Sequence, residues 1–146
     1  YPVVFSENIY AVVDSLGLCK FVCHGFNSPH LVKYADFADL IRLATGWQVS
    51  EEELRAVGPR IVNLERVLNV REGLSRQDDT LPKRYFEEPM ALRLTKGHRI
   101  ERKRFEEMLT AYYRLRRWDD AGYPSPEAVA EINALVEPGE PWKGAL

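Results

Sequence analysis

Residues 100–118 read IERKRFEEMLTAYYRLRRW, and the apolar positions recur at the spacing of an amphipathic helix. Three glutamates lie in the first half of this segment and three arginines lie near its end, an order that suits the helix macrodipole. The segment therefore predicts one long helix with a buried apolar face. The residues expected to point inward from that face are Phe105, Met108, Leu109, Tyr112 and Leu115.

Helical spacing also governs the first third of the chain, where the alternation typical of strands is scarce. One block covers residues 6–16 and stops at Gly17, and a shorter block covers residues 35–44 and stops at Gly46. We expect Trp47, just beyond the second stop, to pack back onto its helix.

Capping signals mark two further helices. Ser50, with a glutamate three residues later, forms a capping box, and the Gly58-Pro59 pair should kink the long helix that follows. Ser125 caps a last helix that we expect to reach about Leu135. Length and composition, 146 residues of which 45% are hydrophobic, suit one core. We predict an all-α fold: an irregular multi-helix domain with long connecting segments, forming a single domain over residues 1–146.

Charge and hydropathy argue against several classes of partner. Twenty Lys and Arg against 22 Asp and Glu leave a net charge of -2, so no overall field draws the molecule toward nucleic acid or anionic lipid. No apolar stretch is long enough to span a bilayer, and the opening Tyr1-Pro2 lacks the pattern of a signal peptide. We expect a soluble cytoplasmic fragment that binds neither nucleic acid nor membrane.

The segment best suited to chemistry is DSLGLC, residues 14–19. It places a carboxylate, a glycine and a thiol at the end of an apolar helix, where a buried carboxylate would need a hydrogen-bonding partner. The residues alone favour a simpler interpretation, in which Asp14 makes turn hydrogen bonds and Cys19 fills space.

Cys19, Cys23 and His24 could also be metal ligands, because thiolate and imidazole suit zinc or an iron-sulfur cluster. A closed site needs about four protein ligands, and nothing else in the chain has ligand spacing. Either the chain binds no metal, or the missing ligands belong to another part of the protein.

A basic cluster and two isolated histidines complete the candidates. The cluster could meet a phosphate or an acidic partner, but interleaved glutamates favour a solvated face. His30 has no Ser, Cys or acid at useful spacing, and neither does His98, so we assign them no catalytic role. The residues of the cluster are His98, Arg99, Arg102, Lys103 and Arg104.

Five motifs in order resemble the C-terminal part of the aldehyde ferredoxin oxidoreductase family, and together they span nearly the whole chain. Pro59 and Arg117 depart from the family's pattern, away from the 14–19 turn. The motifs are DSLGLCKF at 14–21, TGW at 45–47, NLERVLNVREGL at 63–74, DDTLPKR at 78–84 and YYRLRRWD at 112–119.

The resemblance implies two cofactors, expected only in the full-length protein: a tungsten bis-pyranopterin (molybdopterin) and a 4Fe-4S cluster. Cys19 would be the fourth cluster ligand, with the other three upstream of this chain. Asp14 would contact one pterin through its side chain, since a carboxylate can accept two parallel N–H bonds, and Leu18 through its backbone. Cys23 receives no role, and Asn63, Arg66 and Arg71 would form scaffold hydrogen bonds between segments.

The implied enzyme oxidises aldehydes to carboxylic acids with ferredoxin as electron acceptor. The partners of this chain would be the N-terminal domains of the same enzyme, ferredoxin and the aldehyde. No catalytic residue is assigned within it, and the isolated fragment is expected to be inactive. The alternative is a noncatalytic helical interaction module with residues 14–19 as ordinary core. A nucleic-acid binder using the Arg99–Arg104 cluster is a third hypothesis.

Overall fold

The computed structural model describes residues 2–24, 32–91 and 94–133. Within these ranges, the regular secondary structure is helical, apart from an isolated bridge between Trp118 and Pro124. The all-α prediction is therefore confirmed. The helices are α1 (Pro2–Ser15), α2 (Lys20–His24), α3 (Tyr34–Thr45), α4 (Glu51–Arg71), α5 (Arg84–Glu87), α6 (Arg102–Arg116) and α7 (Pro126–Asn133).

The predicted caps are present at the starts of α4 and α7. The Glu53 amide donates to the Ser50 hydroxyl at 3.1 Å, and the Ser50 amide donates to the Glu53 carboxylate at 2.7 Å. This backbone hydrogen bond holds the pKa of Glu53 below its usual value. At α7, the Ala128 amide donates to the Ser125 hydroxyl at 3.2 Å. The expected end of that helix near Leu135 lies outside the described residues.

Removal of the α4 cap should be measurable. Ser50→Ala leaves the Glu53 amide without its side-chain acceptor, and we expect it to lower the free energy of unfolding by about 1 kcal/mol. The matched control is Ser15→Ala, because that exposed hydroxyl only donates back to the Ala11 carbonyl within α1. Urea unfolding of the two variants should differ, and equal losses would show that the capping box contributes nothing.

The long helix α4 is the centre of the fold, since α1, α3 and α7 all pack against it. Its contact with α1 is very close at Gly58, where an added Cβ would lie 2.4 Å from the backbone oxygen of Asn8. The helix continues through Pro59, and the kink there stays a prediction. Glycine is thus needed at position 58 so that two helix backbones can touch.

An apolar core fills the space between α1, α2, α3 and the first half of α4. Val13 and Phe37 are completely buried in it, and the ring of Tyr34 meets that of Phe37 edge to face at 6.4 Å. Cys23 is part of this core. The buried members are Ile9, Val12, Val13, Cys23, Tyr34, Phe37, Ile41 and Leu54.

A buried polar network joins the second half of α4 to the loops around it. Arg66 donates from Nε to the Gly122 carbonyl at 2.7 Å and from Nη1 to Asp79 at 2.9 Å. Trp118 donates from its indole nitrogen to Asn63 at 2.8 Å. These contacts confirm that Asn63 and Arg66 bond between segments, while the same role for Arg71 stays a prediction.

Two predictions about packing are wrong. Trp47 does not pack back onto α3, because 65% of its surface is exposed. On α6, the predicted inward face is wrong for Met108 and Leu115, which are 67% and 53% exposed. The other three predicted residues, Phe105, Leu109 and Tyr112, are partly buried. The residues that the helix buries are Tyr113 and Arg116. Polar contacts account for this difference between the predicted and the observed buried face of α6. The Arg116 guanidinium binds Asn8 and Glu7 on α1, and the Tyr113 hydroxyl binds Asp79.

Candidate functional site

The 14–19 segment forms the turn between α1 and α2, and glycine makes it possible. Gly17 has a φ of 66°, in the left-handed region that other residues avoid. The Leu18 amide donates to the Val13 carbonyl at 3.1 Å, and the Gly17 amide donates to the backbone carbonyl of Asp14 at 3.0 Å. These two bonds form a Schellman motif, which ends α1 and reverses the chain toward Cys19.

Asp14 lies on the outside of this turn. Its side chain is 58% exposed, so the carboxylate is not buried at the apolar end of the helix. Its carboxylate pairs with the Lys20 ammonium at 2.8 Å, and that ammonium also lies 5.3 Å from the centre of the Tyr10 ring. An ion pair this exposed is weak. The carboxylate can therefore exchange this partner for a ligand.

The two cysteines occupy opposite environments. Cys19 is exposed, whereas Cys23 is 96% buried, with only 4% of its surface accessible. Burial, and to a smaller extent the nearby Cys19, raises the pKa of the Cys23 thiol. Thiolate is the form that binds metals, so Cys19 is the available ligand. The interpretation of Cys19 as a space-filling residue is wrong and describes Cys23 instead.

Leu18 connects the two exposed residues. Its side chain is half-buried and packs against the apolar core, which fixes the backbone of the turn. Since its amide already donates to Val13, the backbone group that Leu18 can offer a ligand is its carbonyl oxygen. The turn thus presents a carboxylate, a carbonyl oxygen and a thiol within six residues.

The remaining candidates do not assemble into a site. Within the described ranges, no three or more His, Cys, Asp or Glu side chains lie close enough together to hold a metal ion. The His24 side chain and all of His30 lie outside the described residues. Arg99, Arg102, Lys103 and Arg104 are exposed, as expected of a solvated face.

Among the residues that the structure describes, no helix has both the length and the apolar character needed to cross a membrane.

Sequence reasoning missed one member of the site, Lys20. It follows Cys19 directly, and no helical spacing links it to Asp14, because the chain reverses between them. Only the three-dimensional turn brings the two charges together.

The sequence profile described as "Aldehyde ferredoxin oxidoreductase, domains 2 & 3" matches residues 2–133. The chain belongs to the aldehyde ferredoxin oxidoreductase family. It is 38% identical over 130 residues to the tungsten-containing aldehyde ferredoxin oxidoreductase of Pyrococcus furiosus, and 37% identical over 131 residues to that of Pyrococcus horikoshii. These matches cover 88% and 89% of the chain, but only 20% of each relative.

Two weaker similarities are to proteins with other names. A Pyrococcus furiosus protein called "Aliphatic sulfonate oxidoreductase, WOR-like subunit" is 28% identical over 133 residues, which is 87% of this chain and 20% of that protein. Among solved structures, the active-site complex BamBC of benzoyl coenzyme A reductase has a TM-score of 0.68 at 24% identity. That likeness covers 89% of this chain and 18% of the other, and it supports the fold alone. The chain thus spans about one fifth of the length of the relatives it matches.

Proposed function

We propose that this chain, as a single helical domain, is one part of a tungsten-pterin enzyme that oxidises aldehydes to carboxylic acids and passes electrons to ferredoxin. Family membership and the names of the relatives support this assignment. Because the chain spans only a fifth of those relatives, N-terminal domains of the same enzyme would supply most of the active site. The chain contributes no catalytic residue, and alone it is inactive.

Cys19 is the residue we assign to the iron-sulfur cluster. A 4Fe-4S cluster is held by four cysteine thiolates, and this turn offers one exposed thiol. The other three ligands would come from the preceding domains, which accounts for the incomplete ligand set. The exposure of Cys19 is the observation that carries the proposal, since a thiol sealed in the core could not reach a shared cluster.

Asp14 and Leu18 are the residues we assign to the pterin. The amino-pyrimidinone edge of a pterin carries N–H donors, and both residues present oxygen acceptors: a carboxylate and the Leu18 carbonyl. The exposed pair of Asp14 with Lys20 is weak, so both carboxylate oxygens can accept from a pterin, and a charge-assisted bond to an anion is stronger than a neutral one. When bound, tungsten and iron-sulfur groups supply the redox chemistry, while this turn binds and orients them.

The competing function is a noncatalytic helical interaction module with the 14–19 turn as ordinary core. The exposure of Asp14 and Cys19 disfavours it. Metal analysis of the full-length protein separates the two functions. The enzyme requires tungsten, iron and acid-labile sulfide, whereas the module requires none of them.

The two cysteines provide a matched test in the full-length protein. Cys19→Ala should lose most of the cluster iron and acid-labile sulfide, together with aldehyde oxidation measured with a viologen acceptor. Cys23→Ala should keep its iron and lose only about 1 kcal/mol of stability, as expected for a small cavity in a core. A Cys19→Ala protein with the iron content of the unmodified enzyme would rule out the ligand role.

A further inference from the structure

A groove of about 790 Å³ opens between the first turn of α1, the middle of α4 and the outer face of α6. Its walls are largely apolar. Val3 and Val4 come from α1, and Val62 comes from α4. Met108 and Leu115 come from α6, from the stripe whose periodicity predicts a buried face.

The apolar wall of this groove is uncovered. Val3, Met108 and Leu115 are each more than half exposed, at 59%, 67% and 53%. Scattered single apolar residues are normal on a surface, whereas these three line one groove between α1 and α6. The sequence of α6 is thus patterned for a contact that the described residues do not supply.

The polar groups at the base of the groove already have partners within the chain. The Tyr112 hydroxyl donates to Glu7 at 2.9 Å, and burial raises the pKa of Tyr112 to about 12, so this donor stays protonated at neutral pH. The Tyr113 hydroxyl donates to Asp79, which also pairs with Arg66. The base of the groove therefore offers a partner apolar surface rather than hydrogen bonds.

The charge at the rim of the groove is negative. Glu65 and Asp78 line it and are exposed, while Arg66, the one cation among the described residues that line it, is buried and paired with Asp79. An occupant that complements this rim carries basic side chains beside an apolar ridge.

We infer that this groove holds an apolar segment, flanked by basic residues, from the preceding part of the same polypeptide. The inference rests on the proposed function in one respect, that the chain is part of a longer enzyme. The relatives are more than four times as long, and the first turn of α1, to which preceding residues of a longer chain attach, forms one wall of the groove.

This contact is separate from the cofactor turn. The groove includes Val3 and Val4 at the start of α1, whereas Asp14 lies near the end of that helix. A rise of about 1.5 Å per residue places the two about 15 Å apart along the helix axis. The rest of the enzyme would thus hold α1 at both ends, once through cofactors and once through apolar packing.

Thiol labelling of the full-length protein tests whether the groove is covered. The thiol introduced by Met108→Cys should react with a maleimide at least about tenfold more slowly than the one introduced by Leu94→Cys, because packed groups react only on local opening. Leu94 is the control, because it is 98% exposed and does not line the groove. Mass spectrometry of the two labelled peptides gives the rates, and equal rates would overturn the inference.

A photo-crosslinking amino acid at position 115 of the full-length protein identifies the occupant. The expected adduct joins this position to a peptide that precedes Tyr1 in the same polypeptide. An adduct with residues 1–146, or one with a second copy at the mass of a dimer, would overturn the inference. Tungsten and iron content of the same preparation reports on the proposed function separately, so a covered groove in a metal-free protein would refute only that function.

Discussion

Gly58→Ala should lower the free energy of unfolding of the chain by about 3 kcal/mol, the upper part of the range for overpacking. A Cβ at position 58 would lie 2.4 Å from the oxygen and 2.8 Å from the carbon of the Asn8 carbonyl. Both atoms are backbone, so no side-chain rotation can relieve the contact. The helices α1 and α4 must move apart, and the apolar core between them loses its packing.

The sign of the effect makes this substitution diagnostic. By helix propensity alone, alanine in place of an interior glycine should stabilise α4 by about 1 kcal/mol. The reverse substitution at an exposed position of the same helix, Ala56→Gly, measures that propensity without any packing change. Urea unfolding of both variants gives the comparison. A Gly58→Ala chain as stable as the unmodified one would contradict the close approach.

The contact at Gly58 also bears on the candidate site. Asn8 lies six residues before Asp14 on α1. The position of α1 against α4 therefore determines the position of the 14–19 turn that follows α1. In the full-length protein, Gly58→Ala should therefore reduce cofactor content even though residue 58 is not in the turn. This links the packing of two helices to the position of the proposed ligands.

The helices could be predicted from sequence because their signals are local. The Ser50 capping box, the stop at Gly46 and the Ser125 cap each depend on residues a few positions apart. Periodicity over one or two turns was also sufficient to find α1, α3 and α6. Such signals depend little on what the rest of the chain does.

The buried face of α6 could not be predicted in the same way. Which face of α6 is buried depends on Arg116 binding Asn8, 108 residues away in sequence, and on Tyr113 binding Asp79, 34 residues away. Apolar periodicity treats arginine as a surface residue, yet 96% of the Arg116 surface is buried, because it finds acceptors on α1. For the same reason, Met108 and Leu115 are exposed although their apolar spacing predicts burial.

Only part of the candidate site could be predicted from the sequence. Spacing alone could not choose between Cys19 and Cys23, which lie four residues apart on one short segment. The family resemblance pointed to Cys19, and the environments of the two thiols agree with that choice. The Lys20 partner of Asp14 had no signal in the sequence, because it depends on how the turn at Gly17 folds back.

Arg66→Met should destabilise the chain by about 3 kcal/mol, the lower part of the range for breaking a buried ion pair. The Arg66 side chain is 95% buried, and it donates to Gly122 at 2.7 Å and to Asp79 at 2.9 Å. Methionine fills similar space but leaves the Asp79 carboxylate, three-quarters buried, with the Tyr113 hydroxyl as its side-chain donor. The loops around Asp79 and Gly122 then lose their common anchor on α4.

The control for charge alone is Arg42→Met, which removes an arginine from an exposed pair with Asp39 on α3. That pair should contribute no more than about 0.5 kcal/mol, the usual value for surface pairs one turn apart on a helix. Urea unfolding of both variants separates burial from charge: Arg66→Met should cost several times as much as Arg42→Met. Similar losses would mean that the buried Arg66 network stabilises the chain no more than a surface ion pair does. The three family motifs at 63–74, 78–84 and 112–119 contribute Arg66, Asp79 and Tyr113 to this one cluster, so a large loss would show why they occur together.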